Sequence, residues 1–290
     1  MGLIDWHTHL WSVENHLTDR AVHQLNRIGE MDLNAVSERY AKDVGAETEG
    51  SVLVGSYWPK VGITVPNEDL SRYIRGADHE CYGLASIDPS KSGAGAAAER
   101  AIRDLGLHGF KLAPTYQEFH PWCQEAQDVY EVAETYDVPV MYHQGAAFAA
   151  ESTLEDARPA LLDRVARDHP NMKLIVAHFG QPWCEEVIQL MRKHPNVWTD
   201  ASARYTRPWQ LFNAMAIAVE YRVHDRILFG SDFPTQTPRE AKASFLRSRD
   251  EYIPQYFPTA VGDVIESIMY ERPLAALFGD EAAEQRRRAR

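Results

Sequence analysis

Short apolar runs alternate with amphipathic stretches along this chain. The runs predict eight strands: GLIDWHTH (2–9), SVLVGS (51–56), CYGLASID (81–88), HGFKLAP (108–114), VPVMYHQ (138–144), LIVAHFG (174–180), VWTDAS (197–202) and ILFGSD (227–232). Most are continuously apolar rather than strictly alternating, the pattern of parallel strands covered on both faces. Between them, helical spacing of apolar residues predicts helices over 96–106, 125–137, 157–170, 184–195 and 207–222. Gly106 stands where a helix ends, and Pro139, Pro170 and Pro195 stand where a helix must already have ended. Strand and helix alternating eight times predict an α/β fold closed into a (β/α)8 TIM barrel. No GxGxxG follows the first strand, which argues against an open dinucleotide-binding sheet. Residues 10–50 and 57–80 are long for single connections, and 237–290 adds one or two C-terminal helices, with 267–279 the clearest. No linker or repeat interrupts the pattern, so residues 1–290 read as a single domain.

The polar residues then stand out by position. His7 and His9 are i and i+2 on the first strand, so they share a side, roughly 6–7 Å apart along the chain. Taken alone, the pair also fits an exposed surface strand. The other strands decide between the two: Lys111 lies in the fourth, His143 closes the fifth, His178 is near the end of the sixth and Asp232 closes the eighth. In such barrels chemistry gathers at the C-terminal ends of the strands. His7, His9, His143 and Asp232 are therefore the expected ligands of a divalent metal. Three imidazoles and one carboxylate suit a single Zn²⁺ with room for a water, and Mn²⁺, Fe²⁺ or Co²⁺ are alternatives.

Composition narrows the setting. Hydrophobic residues make up 44% and charged residues 25%, ordinary for a globular protein. A net charge of −12 disfavours nucleic acid, and the short basic end RRRAR (286–290) reads as solvated. No apolar run approaches a membrane span or a signal peptide, so no membrane partner is expected. Cys81, Cys123 and Cys184 are odd in number and scattered, which points to a reducing cytoplasm.

HTH (7–9), GFKLAP (109–114), HQG (143–145), AHFGQPW (177–183) and FGSDFP (229–234) together resemble the amidohydrolase superfamily. The likeness is to the amidohydrolase-related branch that includes aminocarboxymuconate semialdehyde decarboxylase, and it covers most of the chain. It implies a distorted (β/α)8 barrel, metal ligation by the residues at His7, His9, His143 and Asp232, and an acid/base role for His178. Homodimers are common among such relatives. A lysine on the fourth strand is a carbamylated bridge in binuclear members and no ligand in the mononuclear branch that GFKLAP resembles. No glutamate follows His143 closely, which argues against nucleobase deamination.

The expected activity is metal-dependent hydrolysis. A metal-activated water attacks an amide, ester or lactone of a small carboxylated substrate, with Asp232 and His178 handling protons. The alternative within the family is a non-oxidative decarboxylase of an aromatic or unsaturated acid. The alternative outside it is an inactive barrel serving as a binding module. Cations for an acidic substrate are sought at Lys111 and Arg204, with Arg207 and Lys60 as further candidates. The loop after the fourth strand offers Tyr116, Gln117 and Phe119 as a substrate wall.

Overall fold

The computed structural model describes residues 2–279 except 30, 205, 257–259, 271–273 and 275, without the side chains of 248–263. All eight expected strands are present, as β1 (Ile4–Thr8), β2 (Gly50–Val54), β3 (Glu80–Ser86), β4 (Phe110–Leu112), β5 (Val140–Tyr142), β6 (Leu174–Val176), β7 (Val197–Asp200) and β8 (Ile227–Leu228). Each pairs in parallel with the next in chain order, from β1 to β8. The ring closes through backbone bonds rather than a regular ladder. Trp6 N donates to Phe229 O (2.8 Å), Asp232 N to His7 O (2.8 Å) and His9 N to Phe233 O (2.8 Å). The strands are shorter than the apolar runs that predict them.

Helices fill the connections. Ala94–Arg103 buries Ala94, Ala98 and Ala101, one face at helical spacing. Cys184–Lys193 does the same with Cys184, Val187, Ile188 and Met191. The helix expected over 157–170 begins only at Leu162, after one-turn 3₁₀ segments at Glu155–Ala157 and Pro159–Leu161. Pro159 is the cause: it holds Arg158 in an extended conformation (φ −69°, ψ 122°) that a helix cannot use. The long 10–50 connection contains Asp19–Asn26 and short turns of helix. Beyond β8 lie Pro238–Tyr256 and Ala260–Tyr270, and further along Leu274 and 276–279 are helical. The basic end 286–290 lies outside the described residues.

Two apolar layers result. Phe110, Leu112, Val140, Tyr142, Leu174 and Val176 face the helices. Ile4, Trp6, Val52, Val54, Tyr82, Leu84, Met141, Ile175 and Leu228 fill the barrel itself, together with Leu274, Leu277 and Phe278 from the C-terminal segment. Phe278 stacks on Trp6 (5.4 Å between centroids) and on Tyr82 (4.5 Å), plugging the end opposite the strands' C-termini.

Ile4 and Trp6 point into this interior, so strict alternation would turn His7 and His9 away from it. The register of β1 against β2 shifts between Asp5 and Thr8. That irregularity reverses the alternation. Thr8 then faces outward, bonded to Tyr40 Oη (2.6 Å) and Val52 O (2.7 Å), and both histidines face the barrel mouth.

Candidate metal and active site

His9, His143, His178 and Asp232 sit just past the ends of their strands, with His7 near the end of β1 and Lys111 within β4. The Nε2 atoms of His7 and His9 lie 3.7 and 3.4 Å from Asp232 Oδ1. The rings of His7 and His178 stack at 4.6 Å, and those of His143 and His178 meet edge to face at 5.3 Å. The donors of His7, His178 and Asp232 all fall within 4.8 Å of one another. His178 is therefore as close to the centre as a ligand would be, although the sequence suggested only a proton carrier. His7 Nε2 and His143 Nε2 are buried with no hydrogen-bond partner. Orphaned imidazole nitrogens beside a carboxylate are the donor set of a divalent metal ion.

Backbone geometry aims two of these groups. His178 (φ 58°) and Asp232 (φ 60°) both adopt the left-handed conformation, uncommon for residues with a Cβ. Asp232 is held there by its N–H on His7 O and by Thr235 Oγ1 donating to its carbonyl (2.6 Å). Gly230 permits β8 to lie against β1: a Cβ there would come 2.8 Å from His7 Cβ.

Asp200, at the end of β7, was not among the sequence candidates, and it organises the site. It is fully buried. Its Oδ2 lies 3.0 Å from His7 Nδ1, which fixes that nitrogen as the N–H and leaves Nε2 bare. Its Oδ1 accepts from His178 N (3.0 Å), Ser202 N (3.0 Å) and Ser202 Oγ. Ser202 Oγ in turn lies 2.7 Å from His178 Nδ1. With the serine hydroxyl donating to Asp200, His178 Nδ1 must donate to the serine, and Nε2 is the free lone pair. Asp5 was missed as well. Its Oδ1 accepts from His7 N (3.2 Å) and Ser231 N (2.9 Å), tying the β1 irregularity to the turn that carries Asp232. Burial pushes its carboxyl up to about 7. A carboxylate inside an otherwise apolar strand is the sequence signal for both.

Burial also holds the imidazoles of His7, His143 and His178 neutral. It drives His7 and His178 well below the usual histidine range, and His143 down to about 3, with neighbouring charges adding to the effect. Neutral imidazoles are what metal binding and proton acceptance both require. His9 Nδ1 is held by Val54 O (2.9 Å) and Ser56 Oγ (2.8 Å).

The substrate-binding candidates divide. Lys111 points into the barrel from β4, fully buried, and its Nζ has no hydrogen-bond partner. Burial lowers its pKa from 10.5 to about 8, against the pull of Asp200 and Asp232. Tyr116 lies between Trp58 and His143, at 4.8 Å from each ring, and so walls the site. Gln117 is occupied elsewhere: it accepts from Ala113 N (2.8 Å) and donates to Ile87 O (2.8 Å), bracing the turn after β4. Phe119 is buried in the outer apolar layer. Arg204 lies behind His178, its Nε donating to the His178 carbonyl (3.1 Å). Arg207 reaches Gln181 Oε1 (3.4 Å) and Ala203 O (3.2 Å), and exposed Lys60 pairs with Glu118.

A comparison with protein families matches residues 4–261 to the family described as Amidohydrolase. No curated protein matches the chain in sequence. Among solved structures, an uncharacterised TIM-barrel protein from Bordetella bronchiseptica has a TM-score of 0.74 at 20% identity, covering 99% of each chain. A probable 2-pyrone-4,6-dicarboxylic acid hydrolase from Acinetobacter baumannii, with citric acid bound, has a TM-score of 0.69 at 16% identity. The match covers 96% of this chain and 100% of that one. A dihydroxybenzoic acid decarboxylase from Polaromonas, with bound manganese and an inhibitor, has a TM-score of 0.65 at 15% identity, covering 98% of each. At these identities the likenesses establish the barrel fold.

Proposed function

The chain belongs to the amidohydrolase family, and from that premise we propose that it is a metal-dependent hydrolase of a small carboxylated ester, lactone or amide. The observation that carries this reading is the set of imidazoles around Asp232, with His7 and His143 keeping unpartnered nitrogens in a buried site. His7, His9, His143 and Asp232 would hold the ion. Zn²⁺ suits this mix of three nitrogens and one oxygen, and the manganese in the Polaromonas decarboxylase makes Mn²⁺ the alternative. When bound, a divalent ion supplies Lewis acidity, polarising a carbonyl and bringing water's pKa near neutral.

The chain's own groups do the rest. His178, a neutral imidazole with Nδ1 on Ser202, offers Nε2 to a proton. Asp232 is the carboxylate beside the Nε2 atoms of His7 and His9, placed to take a proton and return it to the leaving group. Lys111, a buried amine with no partner, attracts the carboxylate of the substrate. Tyr116 and Trp58 close the side of the mouth and keep water out.

Lys111 also favours a second reading. A buried cation beside the site would stabilise the electron-rich intermediate left when an aromatic or unsaturated acid loses CO₂. Incubation in ¹⁸O-labelled water separates the two. A hydrolase places one labelled oxygen in its product and releases no CO₂, while a carboxy-lyase releases CO₂ and incorporates no oxygen. Label-free product with stoichiometric CO₂ would overturn the hydrolase reading.

A further inference from the structure

Among the described residues, Arg204 is a second buried cation with an unpartnered nitrogen. Its side chain is 1% exposed, and its Nη2 is buried without a hydrogen-bond partner. Among the described residues no carboxylate pairs with it. Among the described residues it makes one hydrogen bond, from Nε to the His178 carbonyl, and Phe179 lies under it at 5.9 Å. An uncompensated buried guanidinium is costly, and such charges are ordinarily paired. Burial pulls its pKa down, and neighbouring Arg207 adds to that. Cys184 on the same wall offers it no charge, because burial raises its thiol.

Arg204 forms part of the wall of a cleft of about 360 Å³ between the turn after β6 and the helix Pro208–Glu220. That volume lies within the ~300–1,000 Å³ of small-molecule sites. None of His7, His9, His143, His178 or Asp232 lines it. Its aromatic walls are Trp183 and Trp209, the latter 62% exposed, and Asn213 lies on the helix side. The other charged residues there balance or repel: Arg158 is bonded to Glu186 (Nε–Oε1 2.8 Å), while Glu185 and Glu186 sit at the rim. These carboxylates disfavour a dianion. A guanidinium fork matches a planar carboxylate, and indole walls match a flat apolar body.

We propose that this cleft is a second ligand site, separate from the metal site, that binds an aromatic monocarboxylate through Arg204. The bond from Arg204 Nε to the His178 carbonyl ties the site to the left-handed turn that carries His178.

The test uses benzoate as the probe, with tryptophan fluorescence and calorimetry on the metal-loaded protein. Benzoate is expected to bind and quench fluorescence. Arg204→Gln should weaken it at least tenfold. Should Arg204→Gln fail to fold, Asn213→Asp serves instead: it supplies an internal carboxylate and should displace benzoate while raising Tm. His7→Ala, which disables the metal site, should leave benzoate affinity unchanged, so failure of the proposed hydrolase reading would not alter this result. Inorganic phosphate should bind at least tenfold more weakly than benzoate. The proposal falls if benzoate does not bind, if its affinity survives Arg204→Gln or Asn213→Asp, if it is lost in His7→Ala, or if phosphate binds equally well.

Discussion

Asp200→Asn isolates the effect of one proton on metal binding. The wild-type carboxylate faces three donors on Oδ1 (His178 N, Ser202 N and Ser202 Oγ) and one nitrogen, His7 Nδ1, on Oδ2. An asparagine amide has one acceptor and one donor end. Turning its oxygen to the three donors keeps three bonds, whereas the opposite orientation leaves three donors facing an NH₂. The first orientation therefore wins, since each stranded buried donor costs about 1–3 kcal/mol. The NH₂ then faces His7 Nδ1, which must become the acceptor. The proton moves to Nε2, the atom beside Asp232 that the proposed metal site needs bare. Loss of such a supporting carboxylate typically costs 10–100-fold in metal affinity, about 1.4–2.7 kcal/mol. Competition against a chromogenic chelator measures it, with near-ultraviolet circular dichroism to confirm the fold. An Asp200→Asn protein that folds and binds Zn²⁺ with the wild-type Kd would refute the tautomer argument.

Three further outcomes follow from the same geometry. His178→Asn should cut turnover by roughly 10²–10⁴-fold with metal content unchanged; a variant that loses its metal would make His178 a ligand, as its closeness to His7 and Asp232 allows. Lys111→Met should stabilise the fold below pH 8 while weakening capture of a carboxylated substrate. The native pKa of about 8 lies below the free value of 10.5, so the burial penalty of about 3 kcal/mol is full below pH 8 and fades as pH rises towards 10.5. Urea unfolding at pH 7 and pH 10 checks this, and an equal gain at both pH values would contradict it. Phe278→Ala should lose about 3–5 kcal/mol in urea unfolding, because it empties the plug against Trp6 and Tyr82; a loss below 1 kcal/mol would mean that the C-terminal segment contributes little to the core.

The strands were legible because parallel strands buried on both faces leave unbroken apolar runs, and His9, His143, His178 and Asp232 because each follows the end of such a run. Helix boundaries were harder to read: Pro159 delays one helix by several residues in favour of tighter turns. The irregularity in β1 leaves no sequence mark, since HTH reads alike with or without it, yet it decides which way His7 faces. Asp200 and Asp5 act through contacts 193 and 226 residues away in the chain, with His7 and Ser231, and only the closed barrel brings these together. Gln117 looked like a substrate contact beside Tyr116, but its amide is taken up by the backbone of its own turn and of the β3 end.

The most direct test of the central claim is metal content per chain. It is measured by elemental analysis of protein purified without chelator or metal-affinity resin, before and after incubation with Zn²⁺ or Mn²⁺. The account predicts about one tightly held divalent ion per chain, lost in His7→Ala. A folded wild-type protein that holds no divalent ion even after incubation would contradict it.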